Sequence, residues 1–113
     1  MSRPRIKKFV CEMPKYEFFT AKESDNAEVI NLTVEEYEVL RLIDNVDMSQ
    51  EEAAVQMRVS RPTVQILYSK ARKKMADFIV NGKVLNISGG DYAFCDDQDA
   101  NCMHKNKCNK CLK

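Results

Sequence analysis

Apolar residues recur through the middle of this chain at helical spacing, in consecutive runs broken by turn residues. Val34, Tyr37, Leu40, Ile43 and Val46 fall three apart and make one stripe. Thr33 followed by Glu36 has the form of a capping box, so the pattern predicts a first helix over 33–45. Its other face carries Glu35, Glu36, Glu38 and Asp44, expected to turn to solvent or to a protein partner because phosphate would repel it. Asn45-Val46-Asp47 is a turn. Ser49 with Glu52 is a second capping box, and Ala53, Ala54 and Met57 fall on one side of the short helix that it opens. Arg58-Val59-Ser60 breaks the pattern. Ser60 is a good N-cap for the next helix, and Pro62 sits in its first turn, where a missing N–H costs nothing. Val64, Leu67, Ala71, Met75 and Phe78 follow at helical spacing, and Gly82 suits the position just past the last turn.

The flanks read as short extended pieces. Phe9, Val10, Cys11 and Met13 form a short strand or packed arm that ends at Pro14. Tyr16, Phe18 and Phe19 are expected to close off a small core, the other reading being rings that stack on nucleic-acid bases. Thr20 to Glu28 is a polar loop, and Val29-Ile30-Asn31-Leu32 an extended lead into the first helix. Lys83 to Ile87 alternates as a strand does, and its expected partner is Val29 to Leu32 or the Phe9–Cys11 segment, since a lone strand is not stable. Ser88-Gly89-Gly90-Asp91 is a turn, with Tyr92 and Phe94 packing back on the body. The expected architecture is mainly α: a three-helix helix-turn-helix core over 32–82, a basic arm with short extended segments over 1–31, a strand and turn over 83–94, and a cysteine-rich tail over 95–113.

Charge sharpens this picture. The 113 residues carry a net charge of only +1, but its distribution is uneven. Acidic residues gather between Glu17 and Glu52 and at Asp96, Asp97 and Asp99. Arg58, Arg61, Lys70, Arg72, Lys73 and Lys74 follow one another with no acidic residue among them. A helix pair with one apolar face and one polar, cationic face is the layout that a major-groove reader needs. On this reading Arg61 meets guanine or phosphate and Gln65 meets adenine. Ser60 and Thr63 sit at the helix entry, and Ser69, Arg72 and Lys73 fix register on the DNA backbone. Ser49 and Gln50, opening the preceding helix, meet phosphate through backbone N–H groups. The N-terminal Arg3, Arg5, Lys7 and Lys8 read either as an arm that touches the backbone or minor groove, or as a solvated tail.

The tail changes character. Cys95, Cys102, Cys108 and Cys111 stand there with His104, almost without aliphatic residues. No apolar run is long enough to span a bilayer and no signal peptide is apparent, so a cytoplasmic location is expected, where cysteines serve metal or thiol chemistry rather than disulfides. The two-residue gap from Cys108 to Cys111 lets both sulfurs reach one ion, zinc first and an iron–sulfur cluster second, with His104 as an alternative ligand. The other reading is a tail of reduced thiols. Cys11, far away in sequence, is expected to be a buried thiol. Nothing in the pattern speaks for an enzyme: there is no Gly-rich phosphate loop, and His104 has no serine and carboxylate arrangement around it.

Leu32 to Leu42, Met48 to Ala54 and Val59 to Val64 resemble the fourth region of bacterial sigma factors. Over nearly its full length the chain is similar to a family of small prokaryotic proteins regarded as DNA-binding and otherwise uncharacterised. The resemblance rests on Arg3-Pro4-Arg5, Ser60-Arg61-Pro62, Ala71-Arg72-Lys73-Lys74, Asn81-Gly82-Lys83, Gly89-Gly90-Asp91-Tyr92 and the cysteine-bearing tail. It implies DNA binding and names no target. Pro62 departs from it, standing where many such helices carry threonine or another polar residue. The expected function is sequence-specific binding of double-stranded DNA by a transcriptional regulator. A homodimer is expected, because one helix reads little sequence. Two alternatives stand beside it: a sigma-like module that contacts RNA polymerase or another protein, and a metal- or redox-responsive regulator whose tail controls DNA affinity.

Overall fold

The computed structural model describes residues 8–22 and 28–94. About half of these are helical, in three helices with short strands around them. The order is β1 (Lys8–Val10), β2 (Phe18–Phe19), β3 (Val29–Leu32), α1 (Val34–Leu40), a π-helical turn (Arg41–Asn45), α2 (Gln50–Met57), α3 (Arg61–Asn81), β4 (Val84–Ile87) and β5 (Tyr92–Phe94). Among the described residues no helix is long and apolar enough to cross a membrane.

Local chemistry sets the helix ends. Thr33 and Ser49 each close a capping box, the hydroxyl accepting from the backbone N–H three residues on and the glutamate returning to the cap's own N–H. Ser60 accepts from the Thr63 N–H, with Pro62 in the first turn of α3. Arg58, at φ 59°, ends α2 in the left-handed region, and Gly82, at φ 61°, ends α3. The predicted first helix is in fact α1 plus the π turn. There the Val46 N–H reaches back five residues to the Arg41 carbonyl.

Helix α3 joins two cores. Its first half packs Val64 against Val39 and Leu42 of the first helical segment, Met48 of the loop that follows, and Ala53, Ala54 and Met57 of α2. Its second half packs Ala71, Met75 and Phe78 against Leu32, Leu85 and Ile87 of a sheet. That sheet runs β2-β4-β3, with β4 parallel to β3 and antiparallel to β2. All three helices therefore lie within the connection from β3 to β4. Of the two partners expected for β4, Val29–Leu32 is the one it takes; β1 pairs instead with β5, in parallel. Tyr92 is half-buried, and Cys11 is fully buried as expected.

Two sequence expectations are overturned. Tyr16 and Phe18 close no core; they are 71% and 64% exposed, whereas Phe19, opposite Leu85 and 40% exposed, lines an apolar pocket with Leu32 and Phe78. The reason lies in the register. Phe18 stands opposite Asn86, on the sheet face turned away from α3, whereas Leu85 and Ile87 take the inner face. The acidic face of α1 is not a solvated surface either: Glu35, Glu36 and Glu38 are buried. Cations and backbone donors meet each of them, though Glu35 Oε1 has no hydrogen-bond partner among the described residues. Glu38 takes both Arg41 Nε at 2.8 Å and Arg41 Nη2 at 2.9 Å, and also accepts the Cys11 N–H. Glu36 receives Lys74 Nζ at 2.7 Å, and Glu35 receives the Asp91 N–H with Lys8 nearby. Of the four carboxylates only Asp44 is exposed.

Candidate nucleic-acid interface

The turn between α2 and α3 is three residues, Arg58 to Ser60. Its geometry is fixed by Arg58 in the left-handed region and by the Val59 N–H donating to the Ala54 carbonyl at 3.0 Å. Ala53 and Ala54 are buried, and side chains this small let α3 come close to α2 at Val64. Tyr68 adds a polar clasp: its hydroxyl donates to Asp44 Oδ1 at 2.8 Å and accepts from Arg72 Nη1 at 2.8 Å. The bond to Asp44 holds the Tyr68 phenol above its usual pKa.

With its apolar side held in this way, α3 turns an opposite stripe outward. Arg61, Gln65, Ser69 and Lys73 lie four residues apart, winding about a third of a turn around the outer side of α3, and all are exposed. Among the described residues Gln65, Ser69 and Lys73 make no side-chain hydrogen bond or ion pair. Arg61 lies 3.5 Å from Glu51 of α2, a contact open to water on both sides and so weak. The structure brings these four together. It sets other expected residues apart. Arg72 is exposed but leans to Tyr68 and Asp44 at the edge of the stripe. Thr63 is half-buried and shares a hydrogen bond with the Ser60 hydroxyl at 2.9 Å. At the start of α2, the N–H and hydroxyl of Ser49 are both engaged in its capping box, and Gln50 is half-buried beside the Glu51 and Glu52 carboxylates.

Two further exposed residues join the stripe: Ile66, not singled out from the sequence, and Lys70, counted there in the cationic run without a contact of its own. Ile66, 58% exposed, sits among Gln65, Ser69 and Lys73, and an apolar side chain in that position is suited to the thymine methyl group. Lys70 stands on the same outer side as Lys73 and makes no ion pair with a described residue. The helical wheel alone carried the signal for both, since each falls off the Val64–Leu67–Ala71 stripe. Cys95, Cys102, His104, Cys108 and Cys111 lie outside the described residues, as do Arg3, Arg5 and Lys7. Among the described residues no group of three or more His, Cys, Asp or Glu side chains could hold a metal ion.

Comparison with known proteins places this chain among relatives whose names assign no activity. The family model described as "Protein of unknown function DUF134" matches residues 1–95. A UPF0251 protein of Desulfitobacterium hafniense is 45% identical over 98 residues, covering 85% of this chain and 78% of its own. One from Caldicellulosiruptor bescii is 42% identical over 118 residues, covering 98% and 84%. One from Methanococcus vannielii is 38% identical over 105 residues, covering 89% and 81%. No solved structure matches.

Proposed function

The chain belongs to the DUF134 family of unknown function, and for it we propose sequence-specific binding of double-stranded DNA, as expected of a transcriptional regulator. In this reading α2, the turn and α3 act as a helix-turn-helix, and the outer stripe of α3 enters the major groove. The observation that carries it is that stripe. Arg61, Gln65, Ser69 and Lys73 are exposed on the outer face of a 21-residue helix, in a run from Arg58 to Lys74 without one carboxylate. Gln65 reads a base edge, adenine by preference, and Ile66 rests on a neighbouring methyl. Arg61 meets guanine or phosphate, and Lys70, Lys73 and Arg72 take phosphates along the groove wall. Ser49 and Gln50 contribute least, since the capping box already uses two backbone N–H groups and two carboxylates stand beside them.

The protein acts as a homodimer in this reading, with the two copies of α3 about 34–36 Å apart on one face of the duplex. In vitro selection from random duplexes, followed by fluorescence anisotropy, tests it. One enriched sequence is expected, bound by the native chain and not by the double variant Arg61→Glu, Lys73→Glu, whose circular dichroism stays native. Gln65→Ala relaxes preference at a single base pair. No enrichment at low ionic strength, with the protein folded, refutes the proposal.

The protein-docking alternative is the weaker one. It needs the acidic face of α1, and three of those four carboxylates are buried in ion pairs or backbone contacts. The metal-responsive alternative rests on the spacing of Cys95, Cys102, Cys108 and Cys111 alone. Zinc or iron content by mass spectrometry on untagged protein prepared without chelators decides it.

A further inference from the structure

On the buried side of α3, a pocket of about 310 Å³ lies between α1, α3 and the three-stranded sheet. That is the lower end of the range of small-molecule sites, about 300–1,000 Å³. Its floor is hydrocarbon: Leu32 and Leu85 from the sheet, Met75 and Phe78 from α3. Its rim is polar, built from Tyr37, Arg41 and Asn45. The π-helical turn accounts for this rim. In an α-helix a residue four places on overshoots a full turn, so a third residue at that spacing drifts off the face. From Arg41 to Asn45 the wider turn needs more than four residues, and the drift reverses. Tyr37, Arg41 and Asn45 thus share one edge.

The chemistry of the rim narrows what fits. Arg41 is already neutralised by Glu38 and Glu12. Neither the Tyr37 hydroxyl nor the Asn45 amide makes a hydrogen bond with a described residue. Burial raises the pKa of the half-buried Tyr37, so its phenol stays protonated and can donate. Two donors above an apolar floor suit a neutral oxygen acceptor attached to a hydrocarbon body, and a charged group would find no counter-ion on the floor.

We propose that this pocket binds a small uncharged amphipathic molecule, its hydrocarbon body on Met75 and Phe78 and its hydroxyl or carbonyl oxygen at Tyr37 and Asn45. The site is independent of the DNA-binding reading. Its occupant would press on the rear of α3, the helix whose front is the proposed reading face.

The test uses the full chain labelled with ¹³C-methyl methionine, with benzyl alcohol as probe, toluene as the control that lacks the hydroxyl, and no DNA. Met75→Leu identifies the Met75 resonance. Saturable movement of that methyl is expected, while Met48 and Met57, in the other core, stay in place. Tyr37→Phe weakens benzyl alcohol about threefold or more and leaves toluene unchanged. Leu40→Phe, which adds bulk at the pocket wall, abolishes both. An unmoved Met75 methyl, equal shifts at all methionines, or a Tyr37→Phe variant that binds both probes as before would overturn the proposal. So would a Met75 shift that follows protein concentration without any probe, because a second copy of the chain then fills the pocket.

Discussion

Glu38 is the residue on which the junction between β1 and α1 depends. Its carboxylate is fully buried, takes two donors from Arg41, and also satisfies the Cys11 N–H. Two charges held this way gain little over a well-packed apolar pair, but removing one partner strands the other without water. Glu38→Ala is expected to cost about 3 kcal/mol or more, read as a lower midpoint in urea denaturation. Asp77 offers a milder case at the surface. The Asn81 amide, and after it the Lys83 ammonium, hold its carboxyl below the ordinary value of 3.8. A depressed carboxylate contributes its stability above the unfolded value and loses it as pH falls through the folded one. Carboxyl NMR titration should place the Asp77 midpoint below 3.8, and Asn81→Ala should move it back up. Gly90 is constrained twice: its φ is +109°, and a side chain there would run into the Glu35 carboxylate. Gly90→Ala should cost about 1–3 kcal/mol in thermal unfolding. Gly89→Ala, at φ +76° with open space around it, should pay only the left-handed penalty of about 1–2 kcal/mol.

Among the elements, α3 carries the most. Its start depends on one hydroxyl, since Ser60 caps the Thr63 N–H at 3.3 Å. Ser60→Ala should lower stability by about 1 kcal/mol, seen as a small fall in the thermal midpoint with the helical signal kept. Where the helices begin was legible because capping is a contact between residues three apart, and Thr33, Ser49 and Ser60 announce it. The π turn was not legible. It keeps the Val34–Tyr37–Leu40 pattern running past the point where the hydrogen bonding changes, and Val39 and Leu42 turn out fully buried beside that stripe. The strands were half legible. Val84 to Ile87 alternates visibly, yet two residues at Phe18–Phe19 are too few to show which face each ring takes.

At the scale of the whole molecule, a net charge of +1 conceals an asymmetry that folding deepens. Carboxylates of α1 are drawn inward onto Lys8, Arg41 and Lys74, while Arg61, Lys70 and Lys73 stay outside. If three or more of the outer cations meet phosphates, the logarithm of DNA affinity should fall against that of salt with a slope of about −3 or steeper. Anisotropy titrations across a salt series measure it, and Lys73→Ala should flatten the slope by about one. Sedimentation with and without the selected duplex tests the dimer.

Residue order alone determined the helix starts, the cationic run from Arg58 to Lys74 and the existence of a strand after Gly82, because each depends on neighbours within a turn or two. Only the tertiary structure decided the rest. It decided that Glu35, Glu36 and Glu38 are buried, that the rings at Tyr16 and Phe18 are not, and that Tyr37, Arg41 and Asn45 edge a pocket. Each of those outcomes turns on a partner from another element: the Cys11 amide for Glu38, Lys74 for Glu36, the Asp91 amide for Glu35, Asn86 opposite Phe18. Chain periodicity records which side of its own helix or strand a residue takes, and holds no information about what a distant segment brings to that side.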